Sequence, residues 1–412
     1  MKARPPLPER NRQNWLDLTG FTGLSVHSDN PASPIKIAID AHSVGMKLGG
    51  NETYAVNLIE ALGQIDSINN YTIYVTTSEA RDRFSNRWSN FKVRSTLPHT
   101  PLIRIPLTLS AELRKHPVDV LHVQFTAPPF CPCPVVVSIH DLSFEHLPET
   151  FKRRSRSQLR FTVRHSAQRA ARILSLSQHT RCDIMETYGI ASDKIEAIPL
   201  AAAEHFGPVT DKRELQRVRH TYGIDGDYIL SVGSIQPRKN LARLVKAYAS
   251  LRGSCSADKL PKLVLVGKCA WLYDETLRAL DETGVKDSVV LTGYVPESDL
   301  PALYSSALCF VYPSYFEGFG LPPLEAMKCG APVIAGNRTS LPEVVGQAGL
   351  TVDPFDVDAI AGAIRKLMND STLRAQLSQK GQDRASAFTW RDTARQTLRI
   401  YQEVARPQAL QS

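Results

Sequence analysis

The sequence predicts an α/β protein built as two doubly wound domains in tandem, facing each other across a cleft. Three observations carry that expectation. The chain has 412 residues, more than one ordinary core holds, so two domains of about 150–200 residues each are the natural division. Short, β-branched-rich apolar segments alternate with amphipathic helical stretches over nearly the whole length, the pattern of a parallel sheet covered on both faces. The alternation pauses once, in the polar stretch 202–227, and then restarts.

In chain order, the first series offers strands at 36–41, 71–77, 118–123, 134–140, 172–177 and 195–201, with helices at 52–63, 153–170 and 178–188. The second offers strands at 228–234, 262–267, 288–293, 308–314, 332–336 and 350–353, with helices at 240–251, 273–283, 297–306, 322–329 and 356–369. Polar helices at 371–387 and 391–405 close the chain. Residues 1–34, rich in Pro, Asn, Ser and charge, are expected to form a loosely ordered extension. The first domain then covers 35–205, the second 206–390, and 391–412 is a terminal helical segment.

Hydrophobic residues make up 42% and charged residues 22%, the balance of a soluble globular protein. No apolar run reaches the length of a membrane span, and the N-terminus lacks the apolar core of a secretory signal. Seven cysteines are odd in number and dispersed, and Cys131 and Cys133 have no second pair to complete a zinc site. Reduced thiols and a cytoplasmic location are therefore expected. The net charge of +8 is concentrated: residues 151–172 hold eight Lys/Arg and no acid. That run reads either as a solvated helix face or as a surface for anionic partners, such as a membrane leaflet in peripheral contact. Nucleic acid is the weaker partner, since no zinc finger, RNP motif or repeated stacking aromatics accompany the run.

Common nucleotide machinery is missing. No G-x-G-x-x-G follows a strand, and there is no G-x-x-x-x-G-K-[ST] and no H-E-x-x-H. Of two Asp-x-Asp triples, Asp225-Gly-Asp227 precedes a strand and Asp356-Val-Asp358 begins where a helix N-cap belongs, so neither reads as a metal site.

Doubly wound sheets bind ligands beyond the carboxyl ends of their strands. That rule selects His140-Asp141, Arg238-Lys239 and the Glu317 stretch. In "YILSVGSIQPRKNLARL" a strand runs into a turn that sets Arg238 and Lys239 at a helix mouth, where the dipole already favours an anion. Asn240 is the expected cap. In "SYFEGFGLPPLEAMKCG" Glu317 precedes the turn, and Gly318 and Gly320 free its backbone. Pro322-Pro323 open a helix whose first turn is expected to hold Glu325. Two carboxylates there can accept hydroxyls from two sugars joined by a diphosphate. Gly49-Gly50 stands at a helix mouth after the first strand, and His140 at a strand end can donate to a sugar oxygen or shuttle a proton. His122 and His146 read as structural.

These segments resemble a known family. "EGFGLPPLEAMKCGAPVIA" is similar to the E-x7-E motif of the retaining GT-B glycosyltransferases of family 4, group 1. "VGSIQPRKN" is similar to their donor-phosphate loop, "HDLSFEHLPETF" to the His-Asp segment of a bacterial mannosyltransferase branch, and "SLPEVVGQAGLTVDP" to the segment after the donor site. The resemblance covers roughly residues 35–405. It implies the GT-B fold: two Rossmann-like domains that close on substrate, with the last helix crossing back onto the first. It also implies that Glu325 binds the donor ribose, that Glu317 contacts the transferred sugar, and that Arg238 and Lys239 neutralise the leaving diphosphate. Amides near Phe319–Leu321, including Gly320, and near Ser340–Leu341 would complete the donor pocket. His140 would face the sugar with Asp141 beside it, and Gly49 and Gly50 would lie near the phosphates and acceptor. Ser234 stands where many members carry Arg, and Arg238 is expected to supply that charge.

The activity so implied is metal-independent hexosyl transfer from a nucleotide sugar, GDP-mannose by preference, to a growing polysaccharide or lipid-linked saccharide. A UDP-sugar donor, a non-catalytic nucleotide-sugar-binding protein and a sugar-nucleotide epimerase are the alternatives.

Overall fold

The computed structural model describes residues 33–46, 49–252, 260–268 and 273–406. The extension expected over residues 1–34 falls, but for its last two residues, outside them. Two all-parallel sheets organise the chain. The first contains β1 (Lys36–Asp40), β2 (Asn70–Val75), β3 (Phe91–Ser95), β4 (Val120–Gln124), β5 (Val135–Ile139), β6 (Arg172–Ser175) and β7 (Ile195–Ala197). Its order is β3-β2-β1-β4-β5-β6-β7. The second contains β8 (Tyr228–Val232), β9 (Lys262–Val266), β10 (Val289–Gly293), β11 (Cys309–Tyr312), β12 (Val333–Gly336) and β13 (Leu350–Val352), in the order β10-β9-β8-β11-β12-β13. Each order runs outward from its first strand and then reverses. A doubly wound sheet opens its ligand crevice at that reversal, here between β1 and β4 and between β8 and β11.

Burial explains which strands are plain in the sequence. Every residue of β4 (VLHVQ) and β5 (VVVSI) is buried, so β5 reads as a near-continuous apolar run and β4 as one broken by His122 and Gln124. The edge strand β3 (FKVRS) buries only Phe91 and went unanticipated. So did the helix Lys212–Thr221, which lies within the polar pause, buries Val218 alone and is capped by Asp211, whose Oδ1 accepts from Arg213 N at 2.9 Å.

The helix Gly50–Ile65 buries Tyr54, Leu58, Ile59 and Leu62 along one face. Against it lies the last helix, Trp390–Ala405, which starts at Thr389, whose side chain accepts from Asp392 N. Its buried residues Ala394, Thr397, Ile400, Tyr401 and Val404 recur at helical spacing. Each large apolar side chain buried there contributes about 1.5–3 kcal/mol. Polar contacts fix its register on the first domain: Tyr401 OH lies 2.5 Å from His122 Nδ1, Thr393 Oγ1 donates to Pro199 O at 2.7 Å, and Arg172 pairs with Glu403 at 2.9 Å. The chain thus leaves the second sheet and returns to the first. His122 is a satisfied core histidine, with Ser138 Oγ on its other nitrogen, and His146 pairs with Asp183 at 2.7 Å. Among the described residues no helix is long and apolar enough to cross a membrane.

Candidate active site

A cleft of about 1630 Å³ lies between the carboxyl ends of the two sheets, lined from both domains. On the second domain's wall, β8 leads through Gly233 and Ser234 into the tight turn Pro237–Lys239. The strand beside it, β11, leads into the loop that carries Glu317. Glu317 Oε1 accepts from Lys239 Nζ at 2.6 Å, Ser314 Oγ at 2.6 Å and Tyr312 OH at 3.0 Å, and Oε2 accepts from Arg238 Nη1 at 2.7 Å. Lys239 Nζ also bonds the Tyr312 hydroxyl. Glu317 therefore serves the two cations first, and room for a sugar hydroxyl remains only at Oε2.

The cluster's electrostatics follow from burial and sign. Burial would raise the Glu317 pKa, but Arg238 and Lys239 outweigh it and hold the carboxyl at about 2. Burial pushes Lys239 down to about 8, with repulsion from Arg238 adding to it and Glu317 opposing. At neutral pH the trio carries one net positive charge beside the cleft. These are not surface residues: Lys239 is only 9% exposed.

Glu325 lies on the helix Leu321–Lys328, in its second turn rather than the first, because the helix begins at Leu321 after Gly320 (φ +120°). Its Oε2 accepts from Tyr304 OH at 3.1 Å, and Oε1 has no protein partner among the described residues. Burial pushes this carboxyl up to about 7. With Glu325 ionised only above about 7 and Lys239 protonated only below about 8, kcat/KM should be bell-shaped and highest between those values. Steady-state rates from pH 5.5 to 9.5 check it; a flat profile removes both groups from the rate.

His140 ends β5 on the facing wall. Its Nδ1 lies 2.9 Å from Asn51 Oδ1, and its Nε2 is buried without a partner. Nδ1 thus carries the ring proton and Nε2 is an acceptor, not the donor expected. Burial lowers its pKa to about 4, so the ring is neutral. Asp141 accepts from Ser143 N at 2.9 Å and lines the cleft next to it. Gly49, in the left-handed region at φ +72°, precedes the helix that Gly50 begins; a Cβ on either would meet nothing, so both face open space.

The two walls touch. A Cβ on Gly318 would sit 1.9 Å from the His140 carbonyl oxygen, so only glycine lets these backbones meet. Thr180 Oγ1 contacts the carbonyls of both Gly318 and His140, at 3.2 and 3.4 Å. Glu343 of the second domain accepts from His179 N at 2.7 Å and Gln178 N at 2.9 Å, at the mouth of the helix Gln178–Tyr188. Gly318→Ala should push the loops apart and lower kcat on the order of 10²-fold, as a 1 Å misplacement can, with some loss of thermal stability because the clash is with backbone. Kinetics and a melting curve together check this.

Two further expectations change. Asn240 sits before the helix Leu241–Leu251 in the left-handed region, but its side chain donates to the carbonyls of Pro313 and Pro354 instead of capping. Ser340 and Leu341 are fully buried behind the loop and do not line the cleft. Ser340 Oγ donates to the carbonyls of Glu317 and Phe319 and so shapes the turn. Phe319, Gly320 and Leu321 do line the cleft. Sequence reasoning missed Asn51, Tyr304, Tyr312, Ser314 and Glu343. Four of these stand in or beside quoted motifs, while Tyr304 has no signal short of the fold. Asp356 caps the helix Val357–Asn369 through Ala359 N at 2.9 Å, as read. Among the described residues no group of three or more His, Cys, Asp or Glu is placed to hold a metal.

Known proteins share this architecture and sequence. The family model "Glycosyltransferase Family 4" matches residues 48–202, and "Glycosyl transferases group 1" matches 212–384. O-antigen chain mannosyltransferase B of Escherichia coli is 37% identical over 267 residues, covering 65% of this chain and 69% of that protein. The serotype-specific mannosyltransferase WbdA of Escherichia coli is 34% identical over 229 residues, covering 55% of this chain but only 28% of that longer protein. The crystal structure of Anabaena Alr3699/HepE in complex with UDP and glucose superposes with a TM-score of 0.70 over 90% of this chain and 100% of that one, at 19% identity, a likeness of fold. The chain belongs to the group 1, family 4 glycosyltransferases, in the GT-B arrangement of two facing α/β domains.

Proposed function

We propose that this hexosyltransferase moves a mannosyl unit from GDP-mannose to a hydroxyl of a saccharide or lipid-linked saccharide in polysaccharide synthesis. The anomeric configuration is retained and no metal is required. The observation that carries the reading is the buried Arg238–Lys239–Glu317 cluster on one cleft wall, with Glu325 on the same wall and His140 opposite. The mannosyltransferase names of the two bacterial relatives support the choice of sugar.

Cleavage of the glycosyl–phosphate bond puts charge on the departing diphosphate. Arg238 and Lys239 meet that charge with fixed cations that need no reorganisation. Glu325, with Oε1 open, accepts a ribose hydroxyl. His140 Nε2, bare and neutral, accepts a hydroxyl of the transferred sugar. Attack on the face the leaving group departs from lets a phosphate oxygen take the acceptor's proton, so no separate base is needed. The protein works in the cytoplasm and meets an anionic leaflet peripherally. The helix Arg153–Arg169 supports that contact, exposing Arg153, Arg154, Arg164 and Arg169 beside Phe161, itself 73% exposed.

A donor panel tests the reading. GDP-mannose should give nucleotide release and an α-linked product, in the presence of chelator as in its absence. Turnover of UDP-glucose alone would replace the donor. Nucleotide binding without turnover of any donor would leave a binding protein.

A further inference from the structure

A second histidine lines the cleft, on a support of its own. His42 follows β1, and its Nδ1 lies 3.1 Å from Asp40 Oδ2. Asp40 Oδ1 also accepts from the His42 backbone N at 3.2 Å, and the His42 carbonyl accepts from Thr76 Oγ1 at 3.1 Å. The residue's backbone is thus held at two points and its ring at one. Beneath it, Arg104 Nη1 reaches both Asp40 oxygens, at 2.9 and 2.8 Å, with both residues essentially excluded from solvent. Burial would raise the Asp40 pKa, but His42 and Arg104 outweigh it and hold the group ionised, well below the usual carboxylate range.

This arrangement is poor as a stabilising device. Arg104 Nε and Nη2 are buried with no partner, and a buried ion pair of that kind contributes little that apolar residues would not. What it does supply is a fixed negative charge under one imidazole. Asp40 accepts the hydrogen bond from Nδ1–H, so in the neutral ring Nε2 is the acceptor. His42 Nε2 has no protein partner among the described residues, and the side chain, 25% exposed, lines the cleft.

Position assigns the role. β1 and β5 lie two strands apart in the first sheet, a lateral separation of about 10 Å. His140 follows β5 and its carbonyl lies against the Gly318 loop of the second domain, whereas His42 follows β1, two strands further along the sheet. We propose that His42 is an acceptor-binding residue: its Nε2 accepts a hydrogen bond from a non-reacting hydroxyl of the acceptor saccharide, and Asp40 with Arg104 is its positioning pair. The proposal rests on the glycosyltransferase reading above and assigns part of its acceptor site.

The test uses the full chain with GDP-mannose, reading donor hydrolysis without acceptor separately from transfer to a panel of methyl α-mannoside, mannobiose and mannotriose. His42→Asn should raise the KM of the best acceptor about tenfold, the worth of one such bond. Donor KM and acceptor-free hydrolysis should stay within about twofold of wild type by the same measure. His42→Gln, whose longer side chain can place its amide oxygen where Nε2 lies while that of Asn falls short of it, should recover part of the loss. Asp40→Asn should mimic His42→Asn; because it strands Arg104, the double variant Asp40→Asn with Arg104→Met keeps that arm readable should the single variant unfold. An unchanged acceptor KM in His42→Asn, or equal losses in hydrolysis and transfer, overturns the proposal. So does a wild type that hydrolyses donor but glycosylates no saccharide of the panel. A wild type that releases no nucleotide from any donor removes the glycosyltransfer reading itself.

Discussion

Lys239→Ala should slow transfer roughly 10²–10³-fold in kcat, as removal of a preorganised transition-state donor does. The mutated group is one of two cations that meet the departing diphosphate, and it is the compact one, held in place by Glu317 and Tyr312. Donor KM should change far less, since ground-state binding keeps Arg238 and Glu325. The fold should survive, because Arg238 and Glu317 remain as a neutral pair at 2.7 Å. Lys239→Arg should not rescue the rate: a planar fork does not fit a buried site shaped around an ammonium. Single-turnover kinetics check this. A variant with near-wild-type kcat would leave the proposed leaving-group stabilisation without its main cation.

Glu317→Ala should be the most destabilising change at the site. It strands buried Lys239 beside the partly buried Arg238, and breaking a buried ion pair from one side costs about 3–5 kcal/mol. For a domain of this size that corresponds to a melting temperature lower by roughly 6–20 °C. Glu317→Gln should fall the same way, since it restores a hydrogen-bond acceptor but not the charge. A combined Glu317→Leu, Arg238→Met, Lys239→Met variant should regain most of the stability and none of the activity. That pairing separates structural support from chemistry. If Glu317→Ala melts like wild type, the cations are not held as the distances of 2.6 and 2.7 Å imply.

The second prediction also shows where sequence reasoning stops. Glu317 is visible as a carboxylate before a glycine turn, and Arg238 and Lys239 as cations after a strand. Nothing in the spacing shows that the three are one cluster, since some 78 residues separate Lys239 from Glu317. The fold brings them together because β8 and β11 are neighbours at the reversal of the sheet. Alternation of central, fully buried strands made the two domains legible. The edge strand β3 was not, because one buried residue in five leaves no pattern. Asn240 was misread for a related reason. Its type and place suit a cap, but two distant carbonyls claim its amide. The Asp40–Arg104 pair under His42 spans 64 residues and has no local signature at all. Gly318 was legible as a turn glycine, while its contact with the His140 carbonyl needs both domains in place.

One wall of the cleft is proposed to grip a sugar nucleotide at its ribose and its diphosphate. The most direct measurement is a crystal structure with GDP bound. Diphosphate oxygens should lie within hydrogen-bond distance of Arg238 and Lys239, and a ribose hydroxyl on Glu325 Oε1. GDP bound elsewhere, or with its phosphates turned away from those two cations, would contradict it.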